Sequence, residues 1–505
     1  MIVVSSRDAA AGAVAAGLAL GVSELAAGVA PVLPSLVEGI GNRVVDGVPA
    51  PVREWAISVF GTADKIVLLA GITLVTVALG AWLGTVARRR WWVAGVVFGG
   101  FAVLAVWAAA QDPGVSVVSA AIPAILAAGA GLWALRRLLD PSRTGEPGDP
   151  GRRAVLRGVG ALAGLAVISV TAGRMLLERS KRVFSGRDDV VLPAAGMPLP
   201  APGPGAELQV EGISPLLVPN SEFYRIDTAL FVPRVDVGDW ALRITGAVER
   251  EVRLTYEEIL DMPLVERDVT LSCVSNRVGG NLVGNARWLG VPLPDILDLA
   301  RPRPEGEQVV ARSVDGFTAG FPIGAAYDGR DALLAVGMNG EPLPYEHGFP
   351  ARLVVAGLYG YVSATKWLEE IELTGWDDFD AYWIPRGWAK EGPVRTQSRI
   401  DTPADFARID AGPLVVAGVA WAPSRGISRV EVRLGDDAGW VEAELSEPLS
   451  ESAWVQWKVD WDPTPGQHRI TVRATDGDGV AQDETMRPPA PSGATGWHSI
   501  RVEVS

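Results

Sequence analysis

Unbroken apolar runs dominate the first third of the chain, near residues 10–32, 66–87, 91–110, 115–135 and 157–177. Each approaches the roughly 20 residues a helix needs to cross about 30 Å of hydrocarbon. The pattern predicts a transmembrane region of about five helices over residues 1–182. The first run is Ala/Gly-rich and contains Glu24, so an amphipathic surface helix is its alternative reading. Residues 183–219 then read as a Pro/Gly-rich tether, because Leu199-Pro200-Ala201-Pro202-Gly203-Pro204-Gly205 cannot build a regular ladder. From 220 to 395 short apolar runs alternate with polar loops. Strands are expected at Trp240 to Thr245, Val269 to Leu271, Val309 to Ala311, Arg352 to Val355 and Ile371 to Thr374, and short helices at Tyr256 to Leu260 and Leu293 to Leu299. This is an α+β domain with long loops. Residues 396–505 change again, to period-two alternation in Val430-Glu431-Val432-Arg433-Leu434 and Ile470-Thr471-Val472-Arg473-Ala474. Turn signals such as Asp436-Asp437-Ala438-Gly439 separate these runs and suggest an all-β sandwich. Most of Trp421, Trp440, Trp454, Trp457 and Trp461 are expected in its core.

Charge divides along the same line. Residues 1–182 carry 17 Lys and Arg against 11 Asp and Glu, and the remaining chain carries 28 against 48. An acidic back half of net −20 argues against nucleic acid as a partner, since phosphates demand the opposite sign. Arg88, Arg89 and Arg90 follow the second run, and Arg136, Arg137, Arg152, Arg153 and Arg157 lie between the fourth and fifth. Short basic loops stay cytoplasmic. Five spans put both loops on that side and everything after residue 182 outside. Gly151-Arg152-Arg153-Ala154-Val155-Leu156-Arg157 is similar to a twin-arginine export signal, though a plain stop-transfer flank reads equally well.

Cys273 is the single cysteine, and the histidines are His347, His468 and His498. No internal disulfide, Cys-rich zinc module or iron–sulfur cluster can be built from one thiol. No Cys-x-x-Cys-His haem attachment occurs and no flavin motif is evident. Cys273 sits where a strand-like run gives way to the polar loop Val274-Ser275-Asn276-Arg277-Val278-Gly279-Gly280-Asn281. A lone cysteine is most often an inert small hydrophobe. Arg277, however, is near enough in sequence to lower the thiol pKa. Arg225, Arg277, Arg352 and Lys366 are basic residues in an acidic half, and guanidinium forks suit phosphate and carboxylate. Together they suggest a phosphorylated cofactor beside a thiolate-bound soft metal. A thiol hydrolase pairing Cys273 with His347 is the rival chemistry, and it leaves the cations unexplained.

Several motifs, in order, resemble the sulfite oxidase family of molybdenum–molybdopterin oxidoreductases over roughly residues 220–505. They are Phe223-Tyr224-Arg225, Leu271-Ser272-Cys273-Val274-Ser275-Asn276-Arg277, Trp288-Leu289-Gly290-Val291-Pro292-Leu293 and Arg312-Ser313-Val314-Asp315-Gly316. Met338-Asn339-Gly340-Glu341-Pro342-Leu343-Pro344 leads into His347-Gly348-Phe349-Pro350-Ala351-Arg352, followed by Lys366-Trp367-Leu368. The resemblance implies that Cys273 ligates molybdenum. It implies that Phe223, Tyr224, Arg225, Asp315, His347, Arg352, Ala364, Thr365 and Lys366 hold the pterin, and more weakly Asn220. Gly418-Val419-Ala420-Trp421 and Val430-Glu431-Val432 resemble the family's Ig-like dimerisation domain, which implies a homodimer.

Two departures bear on substrate. Arg277 is followed by Val278 where sulfite oxidases have a second arginine, and Trp388 aligns with an active-site tyrosine. A less charged pocket implies a sulfoxide or other small oxyanion as readily as sulfite, with Cys273, Arg225 and Arg277 as the reactive set. A non-catalytic scaffold retaining the fold is the alternative these losses leave open. Electrons would pass to or from a separate carrier, a quinone or a cytochrome.

Overall fold

The computed structural model describes residues 6–30, 33–48, 52, 59, 64–111, 115–140, 160–161, 163–173, 175–176, 186–229 and 232–505. It divides into two compact units, Met1–Ser185 with Ala229–Arg234, and Gly186–Thr228 with Val235–Ser505.

The described residues of the first unit up to residue 176 are mostly helical. Ser6–Val29, Val67–Ala87, Trp91–Ala109 and Val117–Leu139 are each long and apolar enough to cross a membrane. Of the fifth expected span, the described part is a shorter apolar helix, Ala163–Gly173. The arginines of the expected export signal lie outside the described residues. Small side chains face inward, among them Ala15, Ala94, Ala134 and Ala166 around Leu18, Leu83 and Leu135. Leu74, Trp92, Val103, Ile125 and Ile168 are exposed. This small-inside, large-outside arrangement suits a lipid solvent, where helices gain by backbone approach rather than by hiding apolar area. At Gly12 the approach is extreme: a Cβ there would collide with the backbone of Gly80 and Gly84. Asp8 at one end of the bundle pairs with Arg88 at 2.8 Å. An additional helix, Leu36–Gly47, begins at Ser35, whose hydroxyl accepts from Glu38 N and donates to the buried Glu24 carboxylate at 2.7 Å. So Glu24 sits inside the bundle with a polar partner.

The second unit contains four sheets. The first runs in the order Val252–Thr255, Ala241–Gly246, Leu368–Thr374, Gln308–Ser313, Thr318–Pro322, with Ala241–Gly246 and Leu368–Thr374 parallel. The second orders Val265–Ser272, Val283–Pro292, Ala332–Met338 and Glu341–Pro342, and Arg352–Val355 also pairs with Ala332–Met338. Ala332–Met338 is buried along its whole length, so it lies in the core rather than at a surface. Two further sheets pack face to face. Val416, Ala420, Val455 and Trp457 of one meet Val430, Val432, Ile470, Val472 and Ile500 of the other in one buried cluster. The C-terminal region is therefore a sandwich. Trp457 is buried in that cluster, Trp421 and Trp454 are buried outside it, and Trp440 and Trp461 are only half-buried.

Residues expected to form a tether behave otherwise. No strand forms in 186–219, but the segment is pinned to the folded unit by distant side chains. Leu199 N donates to Glu266 Oε2, Leu208 N to Gln456 Oε1, and Arg287 Nη1 to Pro200 O at 2.9 Å.

Candidate functional site: a thiol and buried cations in one cleft

Strand Val265–Ser272 is held in register with Val283–Pro292 up to Ser272 opposite Val283, and the chain then leaves the sheet. The loop so formed is closed at its base by Cys273 N donating to Leu282 O at 2.9 Å. Asn276 spans it, its side-chain oxygen accepting from Leu282 N at 3.0 Å. The strand end thus fixes Cys273 at the edge of a cleft of about 880 Å³, its open mouth included.

Phe223, Tyr224, Asp227, Cys273, Ser275, Asp315, His347, Arg352, Ala364 and Lys366 line this cleft, with Phe317, Tyr361, Trp383 and Trp388 as aromatic walls. Eight of the residues expected at the site are in that lining. The other expected residues are placed differently. Thr365 is fully buried beside the lining, its hydroxyl without a hydrogen-bond partner among the described residues. Asn220 lies behind it, its amide donating to Glu341 and its carbonyl facing His347 Nε2 at 2.8 Å. Arg225 is outside the lining and reaches Asp227 at 2.8 Å. Arg277 is exposed and absent from the lining. Proximity in sequence does not translate into proximity to the thiol, because the loop turns this side chain outward. Burial instead pushes the Cys273 thiol up.

Two cations, Arg352 and Lys366, share the cleft with two carboxylates, Asp227 and Asp315. Arg352 is 5% and Lys366 9% exposed. Asp227 Oδ2 accepts from both Arg225 Nε and Lys366 Nζ at 2.8 Å, one carboxylate for two cations. Arg352 forms no ion pair among the described residues. It donates to His347 O at 3.1 Å, and its guanidinium lies over the Trp288 ring at 5.0 Å. Burial accordingly lowers Arg352 to about 10 and Lys366 to about 8, Asp227 opposing the shift at Lys366. It also lowers His347 to about 4, so the imidazole is neutral at physiological pH. Asp315 is raised, again chiefly by burial. Gly348 lets these groups crowd together: its φ is +113°, and a Cβ would press on Lys366 Cβ at 3.0 Å and Arg352 Cβ at 3.1 Å.

Asp227 was not foreseen from the sequence. Its signal is an acidic residue two places after Arg225, meaningful only once Lys366, 139 residues away, is brought to it. Tyr361 and Trp383 were likewise missed as walls.

A buried guanidinium with no carboxylate partner among the described residues, a buried lysine and a single thiol in one cleft suit an anionic cofactor carrying a soft metal. Comparison with known proteins narrows the class. Residues 229–383 match the family model described as the oxidoreductase molybdopterin binding domain. Mitochondrial sulfite oxidase of Rattus norvegicus is 29% identical over 289 residues, 48% of this chain and 52% of that one. Sulfite oxidase of Gallus gallus is 32% identical over 307 residues, 51% and 65% of the two chains. An oxidoreductase of Bacillus subtilis named YuiH and described as uncharacterized is 32% identical over 157 residues, which are 31% of this chain and 76% of that one. Among solved structures, the sulfane dehydrogenase SoxCD of Paracoccus pantotrophus superposes with a TM-score of 0.51 at 24% identity, covering 60% of this chain and 86% of that one. The chain belongs to the molybdopterin-binding oxidoreductases of the sulfite oxidase family. It spans about half the length of the mammalian relatives it matches.

The donors present fit the family's cofactor. A phosphate would supply the counter-charge that Arg352 lacks, and the Thr365 hydroxyl is a polar atom still to be satisfied. The Cys273 thiol faces the same cleft as a soft-metal ligand.

Proposed function

We propose that this chain is a membrane-anchored molybdenum–molybdopterin oxidoreductase that carries out two-electron oxygen-atom transfer on a small oxyanion or sulfoxide-type substrate. One observation carries the proposal: the only thiol of the chain lines a single cleft with two buried cations, of which Arg352 has no ion pair among the described residues. When bound, the cofactor supplies a two-electron couple for oxygen-atom exchange. The protein's own part is placement and charge. Cys273 would hold the metal as thiolate, and because burial pushes the thiol up, metal loading releases its proton. Arg352 and Lys366 would hold the phosphate, Asp227 would steady Lys366 and Arg225 together, and Asp315, Ala364 and neutral His347 would orient the pterin edge. Phe317, Tyr361, Trp383 and Trp388 restrict water at the mouth.

Arg277 turns to solvent and the outer walls are aromatic, which supports a less charged substrate than sulfite. The apolar helices, the basic loop Arg88 to Arg90 and the sequence pattern together support an anchor with the catalytic unit on the extracytoplasmic side. The C-terminal sandwich, by its motifs, is the Ig-like domain through which two copies associate. The redox partner is a separate carrier, a quinone or cytochrome.

Protein purified from a host that makes the cofactor should contain molybdenum, and its absence would overturn the proposal. Cys273→Ala should abolish turnover yet keep the pterin, read by fluorescence after oxidative release. Sulfoxides should compete better than sulfite for the metal, followed by electron paramagnetic resonance; clear sulfite preference would refute the charge argument.

A further inference from the structure

The C-terminal sandwich touches the cysteine-bearing hairpin on both of its limbs. On the entering limb, Thr270 N donates to Ser452 O at 2.9 Å, and Thr270 Oγ1 accepts from Trp454 N at 2.8 Å. On the returning limb, Arg399 Nη1 donates to Gly280 O at 2.8 Å. Arg399 is 9% exposed and is itself fixed by Asp401 Oδ1 at 2.6 Å and Ser214 Oγ at 2.7 Å. Next to it, the His498 ring fills the space beside Gly279, where any Cβ would collide with it. His498 Nδ1 accepts from Ile400 N at 3.0 Å, which sets the ring's orientation. Within the loop, Gly280 N donates to Arg277 O at 2.8 Å and Asn276 N to Cys273 O at 3.0 Å, so displacement of Gly280 is transmitted to Cys273 through two short turns.

We infer that Arg399, locked by Asp401 and backed by His498, is a positioning residue that sets the depth and direction of the Cys273 sulfur. The sandwich is then a structural part of the metal site as well as a domain in its own right. A charge-assisted bond to a carbonyl inside the fold resists loop opening strongly, so its loss should be visible in the thiol itself. This rests on the metal-ligand reading of Cys273 only for its spectroscopic arm.

In cofactor-free full-length protein in detergent, Cys273 should react slowly with a disulfide-exchange reagent. Arg399→Gln should react about tenfold faster, Asp401→Asn should fall between, and Arg399→Lys, which keeps a donor and a charge, should recover most of the protection. In loaded protein, Arg399→Gln should broaden or shift the Mo(V) resonance while molybdenum content stays at the wild-type level. Equal labelling rates in wild type and all folded variants would overturn the inference. If Arg399→Gln fails to fold, Asp401→Asn and Arg399→Lys decide it on the same readout. A wild type devoid of molybdenum would sink the proposed function but leave the labelling result to judge this one.

Discussion

Arg352→Met tests the cost of the buried, unpaired guanidinium most directly, because the substitution should stabilise the cofactor-free fold while destroying its purpose. Burial lowers the guanidinium from its usual 12.5 to about 10. At about 1.4 kcal/mol for each tenfold, holding that charge costs the cofactor-free fold about 3 kcal/mol. Methionine keeps much of the side-chain length over Trp288 and removes the cost. It also forfeits the 3.1 Å bond to His347 O, worth about 1 kcal/mol. The two longer contacts, to Leu353 O at 3.4 Å and Ala364 O at 3.5 Å, add little. The cation–π contact with Trp288 goes too, about 1 kcal/mol, so the net gain is about 1 kcal/mol, or a few degrees in the melting temperature of cofactor-free protein. Cofactor binding should move the other way. Removing one partner of a buried, charge-assisted pair costs about 3–5 kcal/mol, so pterin retention through dialysis should fall by two orders of magnitude or more. A variant that melts lower than wild type without cofactor, or that keeps its pterin, would refute the argument.

Lys366 adds a pH signature. Its ammonium is lowered to about 8, below its ordinary value of 10.5, so between those two values the unfolded chain binds more protons and stability from this group rises with pH. Cofactor-free wild type should therefore gain stability relative to Lys366→Met from pH 8 to 10, read by paired thermal melts, whereas an inverted difference would contradict the burial argument. In the membrane unit, Gly12→Val should force the helices Ser6–Val29 and Asp64–Ala87 apart, because the backbone of Gly80 and Gly84 leaves no room. Overpacking of that kind costs about 1–3 kcal/mol, measurable as a lower melting temperature in detergent.

Much of the catalytic unit is legible from local chemistry. The helix Tyr256–Leu260 is announced by Thr255 and Glu258, which form a reciprocal cap, and Arg352–Val355 forms a strand over the same residues as its apolar run. Cys273 at a strand end beside polar residues is visible in the same way. What escapes such reading depends on long-range pairing. Asp227 matters only through a lysine far along the chain, and the direction of Arg277 is decided by a loop whose closure needs Leu282 and Asn276. The Pro-rich segment near residue 200 has no local reason for order, and Glu266, Arg287 and Gln456 impose it from elsewhere. The helix Leu36–Gly47 is overlooked because a search for spanning lengths passes over twelve residues with a polar side.

The bond between His347 and the Asn220 carbonyl has a directional consequence. With Nε2 spent as the donor to that oxygen, a neutral imidazole retains a lone pair on Nδ1 and nothing to give. The ring can therefore welcome an incoming N–H or O–H but must repel a carbonyl or an oxyanion. Beside it, the guanidinium of Arg352 can only donate. A bound molecule that met both Nδ1 and the guanidinium would have to present opposite hydrogen-bonding polarity to the two, a donor to one and an acceptor to the other.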